Sequence, residues 1–201
     1  MNAKVHTILT QSLQIFCEYG IKSVSMDDLS SSMKISKKTL YKYFKNKEHL
    51  LEILFLEFSP LLFDDYSIAS YKKHENAIDF LFDIQAFIVA QKSLLTPAIT
   101  YDLQTTYPHI YIAMQEKVIE QAQNLITKNI TLGQAQNIYK KDIDINIASY
   151  IFSQLSTLIE NPKEQSFTSE NLLNEILKIF LYRIANPEGV RQFEMIEKQR
   201  V

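Results

Sequence analysis

Residues 25–50 read SMDDLSSSMKISKKTLYKYFKNKEHL, and three potential caps divide this stretch into short helices. Ser25 precedes a run in which Leu29 and Met33 point inward, and Asp27 and Asp28 fall in its first turn, where the macrodipole favours carboxylates. Lys34 and Ile35 make a tight connection, and Ser36 caps a further helix from Lys37 to about Phe44. At about 100° per residue Leu40 and Phe44 lie within about 40° of each other and form a buried stripe. Lys38, Lys42 and Lys45 fall on the opposite side, with Thr39 and Tyr41 on the flanks. Asn46 then caps a fourth helix rich in Leu50, Leu51, Ile53, Leu54, Phe55 and Phe58, which Pro60 ends or kinks.

Upstream, Asn2 caps a helix in which Ile8, Leu9, Ser12, Leu13 and Phe16 recur at helical spacing, and Gly20 stands where a left-handed residue stops it. Downstream, helices are expected at about 75–94, 96–105, 109–131, 143–160 and 169–186, separated by Pro97, Pro108, Gly133, Pro162 and Pro187. With only three Gly and five Pro in 201 residues there is little turn chemistry for a many-stranded sheet, so the expected fold class is all-α. The only cysteine, Cys17, excludes an intrachain disulfide and a cysteine-based zinc site. No apolar run approaches the roughly 18 residues of a membrane span, so a cytoplasmic location without membrane contact is expected. There is no G-x-S-x-G elbow, H-E-x-x-H pair or phosphate-binding glycine loop, and Cys17 lies on a buried helix side with no matched His. Neither catalysis, nor a metal, nor a cofactor is expected.

Charge is unevenly spread. Residues 1–50 carry eight Lys against four acids, a balance of +4, whereas residues 51–201 carry a balance of −6. Six of those lysines fall between Lys34 and Lys47 with no acid among them until Glu48, a concentration suited to a polyanion. Two short helices joined by a tight turn, the second presenting basic, hydroxyl and aromatic groups, are what docking in the major groove of double-stranded DNA requires. Lysines reach phosphates, and threonine and tyrosine reach base edges or the backbone.

The run SVSMDDLSSSMKISKKTLYKYFKNKEHLLEIL, with the preceding ILTQSLQIFCEYGIKS, resembles the N-terminal domain of the TetR (tetracycline-repressor-like) family over about 45 contiguous residues. The resemblance implies a three-helix helix-turn-helix DNA-binding domain in residues 1–48 and a larger helical effector-binding and dimerisation domain in residues 49–201. It also implies that Lys37, Lys38, Thr39 and Tyr41 face the groove and that Ser25, Ser36, Tyr43 and Lys47 hold phosphates. Lys42 and Lys45 are added from the helical geometry. The chain departs from the family in having Lys34 where a Gly is usual in the turn, at a cost of roughly 1 kcal/mol for a left-handed non-Gly residue. Residues 1–50 also contain no Arg, which removes the common bidentate contact to guanine.

For the C-terminal part the resemblance implies a ligand-responsive repressor that binds a palindromic operator as a homodimer. Its effector is an unidentified small molecule, partly apolar or aromatic, received between helices. Tyr66, Phe87, Tyr101, Tyr107, Tyr111 and Phe152 are the aromatic candidates for such a pocket, each weighed against simple core packing, and Asp102 and His109 are the polar ones. A C-terminal domain that senses a protein partner is the alternative. The last two expected helices are apolar on more than one face, which calls for two packing partners. Ile147, Ile151, Leu155, Leu173, Ile176, Leu177 and Phe180 are therefore assigned to a four-helix interface between two subunits.

Overall fold

The caps expected in the first fifty residues are all made. Asn2 Oδ1 accepts from the Lys4 N–H at 2.9 Å, Ser36 Oγ from Thr39 at 3.0 Å and Asn46 Oδ1 from His49 at 2.8 Å. Ser25 and Asp28 form a reciprocal capping box, each side chain bonded to the other's backbone N–H. Each cap satisfies a donor that the first helical turn leaves orphaned.

The computed structural model describes residues 2–58, 76–93, 95–157 and 168–200. Helix α1 spans Ala3–Tyr19, α2 Met26–Ser32, α3 Lys37–Tyr43 and α4 Lys47–Glu52, which continues as a π-helical turn over Ile53–Phe58. Then follow α5 (Ala77–Ser93), α6 (Pro97–Thr106), α7 (Pro108–Ala135), α8 (Ile145–Ser156), α9 (Ser169–Ile184) and α10 (Pro187–Arg200). Among the described residues there is no strand beyond an isolated bridge between Tyr139 and Ala185. Pro60, Pro162 and Tyr66 lie outside the described residues.

Two departures from the expected elements have physical causes. Helix α7 runs through Gly133, which was expected to separate elements. A Cβ there would lie 2.1 Å from the Tyr139 ring, so this glycine admits an aromatic ring against the helix and breaks nothing. A helix after Pro187 was not expected. Pro187 is the first residue of α10, where its missing N–H costs nothing, and Asn186 Oδ1 accepts from the N–H groups of Glu188 and Gly189, both at 3.0 Å.

The chain divides into two compact units, Met1–Asp64 with Ser93–Lys117, and Asp65–Lys92 with Val118–Val201. The first thus contains α6 and the start of α7 as well as the four N-terminal helices. Its core joins Leu9 and Phe16 of α1, Leu29 of α2, Leu40 of α3 and Leu50 of α4 to Ile99 and Leu103 of α6, all fully buried. In the second unit α8 packs on α9, with the Phe152 and Phe180 ring centroids 4.8 Å apart. Polar side chains bind the base of that unit: Asn129 donates to the Ala77 carbonyl at 2.6 Å, and Gln136 accepts from the Ala77 N–H at 2.9 Å.

Candidate nucleic-acid interface

Helix α2 ends in a turn that fixes the position of α3. The Ile35 N–H reaches back to the Ser30 carbonyl at 3.0 Å, a six-to-one closure that requires a left-handed residue just before it. Lys34 is that residue, with φ of 53°. The expected strain is therefore present in the turn. Replacing Lys34 with Gly should raise stability by about 1 kcal/mol, read as a higher midpoint in urea at unchanged slope; a lowered midpoint would show that the lysine is not strained there.

Helix α3 is seated by Leu40 and by Phe44 at its end, both fully buried. Ser36, Lys37, Lys38, Tyr41, Lys42 and Lys45 are exposed, and Thr39, Tyr43 and Lys47 are half-buried. Among the described residues no carboxylate pairs with Lys38, Lys42 or Lys45. The Lys42 ammonium lies 5.6 Å from the centre of the Tyr43 ring, and the Lys45 N–H donates to His49 Nδ1 at 3.2 Å. Lys38 and Lys42 thus project from one face of α3, and Lys45 follows just beyond the extended C-cap Phe44.

The other assigned residues have partners inside the chain. Lys37 Nζ donates to Asp27 Oδ2 at 2.6 Å, and this carboxylate holds the lysine pKa above its ordinary value. Both groups are exposed, so the pair contributes little to stability and is open to exchange for a phosphate. The Ser25 hydroxyl donates to Asp28 Oδ2 at 2.6 Å, and Ser36 Oγ lies 2.8 Å from Thr39 Oγ1. The bonds from Ser25 hold the Asp28 carboxyl below its usual pKa. That contribution to the cap is complete above the ordinary carboxylate range and disappears as pH falls through the lowered value. Lys47 turns inward: its ammonium donates to the Ile21 carbonyl. Burial lowers the Lys47 pKa, opposed by the charges of Asp102 and Asp28. It is a tie between the start of α4 and the turn after α1, which distinguishes it from the exposed lysines on and just after α3.

Residues 8–54, which enclose this helix-turn-helix and its caps, match the family model described as bacterial regulatory proteins, tetR family. Over this segment the chain is similar to the tetR family. It is a DNA-binding transcription regulator. The fold of the chain also has solved counterparts. A transcriptional regulator from Cytophaga hutchinsonii superposes with a TM-score of 0.72 at 17% identity, covering 92% of this chain and 100% of that one. The reduced form of NemR from E. coli gives 0.65 at 14% identity, covering 91% and 98%. The fatty acid degradation regulator FadR from Bacillus halodurans gives 0.65 at 18% identity, covering 90% and 96%. No curated protein matches the chain. At these identities the structural likenesses establish the fold of the chain and leave its ligand open.

The candidates for an effector pocket are divided between the two units. Tyr101, Asp102, Tyr107, His109 and Tyr111 belong to the first, and Phe87 and Phe152 to the second, where both are buried. Tyr101 is 65% exposed. His109 Nε2 lies 3.1 Å from Glu48 Oε1, Asp102 accepts from the Lys22 N–H at 2.8 Å, and the Tyr111 hydroxyl accepts from Gln115 at 2.7 Å. Tyr107 is half-buried, its pKa raised by that burial and by the nearby Glu48 and Asp102 charges. The polar candidates therefore serve the unit that carries the helix-turn-helix, a role hidden in the sequence by a separation of 80 positions in the case of Asp102.

The interface candidates differ in burial. Leu173, Ile176, Leu177 and Phe180 are buried within their own unit. The apolar side chains that α9 leaves in solvent are Ile179, 67% exposed, and Tyr182; those of α8 are Ile147, Tyr150 and Ile151, with Leu155 half-buried. On a helix apolar all round, composition alone does not tell which stripe the chain's own core takes.

Proposed function

We propose that this tetR-family regulator is a ligand-responsive repressor that acts in the cytoplasm and binds a palindromic operator as a homodimer. The observation that carries DNA docking is the exposed pair Lys38 and Lys42 on a helix capped at Ser36 and anchored by Leu40 and Phe44, with exposed Lys45 just past its end. Thr39 and Tyr41 flank these lysines and supply hydroxyl and apolar contacts to base edges, while Lys37, Ser25, Ser36 and Tyr43 contact the backbone around them. Reaching a phosphate requires Lys37 to leave Asp27, an exchange between two exposed partners of one cation. With no Arg before residue 50, sequence is read by lysine, threonine and the shape of the groove.

Dimerisation is supported by the apolar side chains that α8 and α9 present to solvent, Ile147, Ile151, Ile179 and Tyr182 among them. Two copies joined there would offer two recognition helices to two half-sites. The effector, an organic molecule with apolar or aromatic character, acts by binding more tightly to the dimer geometry that does not fit DNA.

Selection of duplexes from a random-sequence pool by the full-length protein tests this reading. The expected outcome is an inverted repeat whose affinity falls steeply with salt, each neutralised phosphate contributing about −0.9 to the log–log slope. An enriched site without two-fold symmetry would contradict the dimer. A nearly flat salt dependence would contradict the lysine grip. Native mass spectrometry of the purified protein then identifies any copurified effector, which must release the selected duplex when added back.

A further inference from the structure

We propose that Asp102 is a positioning residue for DNA docking: from helix α6 its carboxylate holds the turn between α1 and α2 in the geometry from which α2 and α3 meet the duplex. This rests on the docking face described above and adds a residue far outside it in sequence. The turn, Gly20–Ile21–Lys22, is clamped from two sides. The Lys22 N–H donates to Asp102 Oδ2 at 2.8 Å, and the Ile21 carbonyl accepts from the Lys47 ammonium. One backbone donor and one backbone acceptor that no helix satisfies are thus taken by side chains of opposite charge.

The approach of the carboxylate is close. A Cβ on Gly20 would stand 3.2 Å from Asp102 Oδ2, and Gly20 itself has φ of 80° and ψ of 163°, a conformation left almost entirely to glycine. Asp102 is delivered by a rigid element: Ile99 and Leu103, on the inner side of α6, are fully buried in the same core as Leu29 and Leu40. The chain of charge continues beyond the turn, because Asp102 and Asp28 both favour the charged form of Lys47. Asp28 is the carboxylate of the α2 capping box. From α6 to the first turn of α2, therefore, the groups alternate in sign, and the turn that aims α2 and α3 lies among them.

The sign of the expected effect separates positioning from electrostatics. Asp102 is an anion in the unit that docks on a polyanion, so removing its charge should strengthen binding to every duplex if charge were all that mattered. Positioning requires the opposite for the selected duplex alone, because a misaimed α3 loses base contacts while its lysines still reach phosphates. The experiment measures the full-length protein, wild type, Asp102→Ala and Asp102→Asn, against the selected inverted repeat and an unrelated duplex at several salt concentrations. Asp102→Ala is expected to weaken binding to the selected duplex about tenfold. Asp102→Asn keeps an acceptor without its charge and is expected to weaken it about threefold. The unrelated duplex should bind equally well or slightly better, at an unchanged salt slope. Unchanged or tighter binding of the selected duplex by the variants would overturn the proposal, and so would an equal loss on both duplexes. If Asp102→Ala does not fold, as judged by its far-ultraviolet dichroism, Asp102→Asn decides by the same comparison. Failure of DNA docking itself would appear first, as wild-type protein without salt-dependent binding.

Discussion

Replacing Lys38, Lys42 and Lys45 together with alanine is expected to weaken binding to the selected operator by about a hundredfold at physiological salt. The log–log salt slope should become shallower by up to about 2.7 for each subunit bound, since each lysine that neutralises a phosphate contributes about 0.9. The three side chains are exposed, and among the described residues no carboxylate holds them, so they meet DNA without first breaking an internal ion pair. Alanine is the better helix former, and neither Leu40 nor Phe44 is touched, so helix content and thermal midpoint should be retained. Lys37→Ala is expected to cost less, because Asp27 at 2.6 Å already competes for that cation. A triple variant with an undiminished salt slope would remove the α3 face from the DNA interface.

The second large effect is expected from Ile147→Glu combined with Ile179→Glu. These side chains are 59% and 67% exposed, too open to contribute to the core of their own unit, and α8 and α9 should keep their packing through Phe152 and Phe180. Glutamate in the centre of an apolar interface would be desolvated without a partner, and the dimer should give way to monomers in sedimentation at micromolar protein. Operator affinity should then fall by about 10²- to 10⁴-fold, the advantage of engaging two half-sites at once. A variant that remains a dimer would place the interface elsewhere, and a monomer that binds the inverted repeat as tightly as the wild type would show that dimerisation does not matter for docking.

The first fifty residues were legible because their signals are local. Ser25, Ser36 and Asn46 each cap the helix that follows them in sequence, and the spacing of Leu40 and Phe44 is enough to tell the inner side of α3 from the lysine side. Further on, the same signs misled where their meaning depended on a neighbour. Gly133 looks like a helix end until Tyr139 is found lying on it, and Pro187 reads as a stop although, behind Asn186, it opens α10. The polar pair expected in a ligand pocket, Asp102 and His109, came from a conspicuous run, YDLQTTYPHIY, whose composition says nothing about which groups it meets.

What the sequence by itself determined is the all-helical character, the caps and the cationic face of α3. All of these follow from interactions within about four residues, where helical periodicity fixes geometry in advance. Only the tertiary structure decided that Lys47 points into the turn after α1, that Lys37 is held by Asp27, and that Asp102 clamps Lys22. It also decided which apolar stripe of α9 is consumed by its own unit and which, with Ile179 and Tyr182, is left in solvent. Those partners lie between 10 and 80 residues apart, and their meeting depends on how helices pack. The same lysine can grip a phosphate or tie down a turn, and composition is identical in both cases; the position of the nearest acceptor makes the choice.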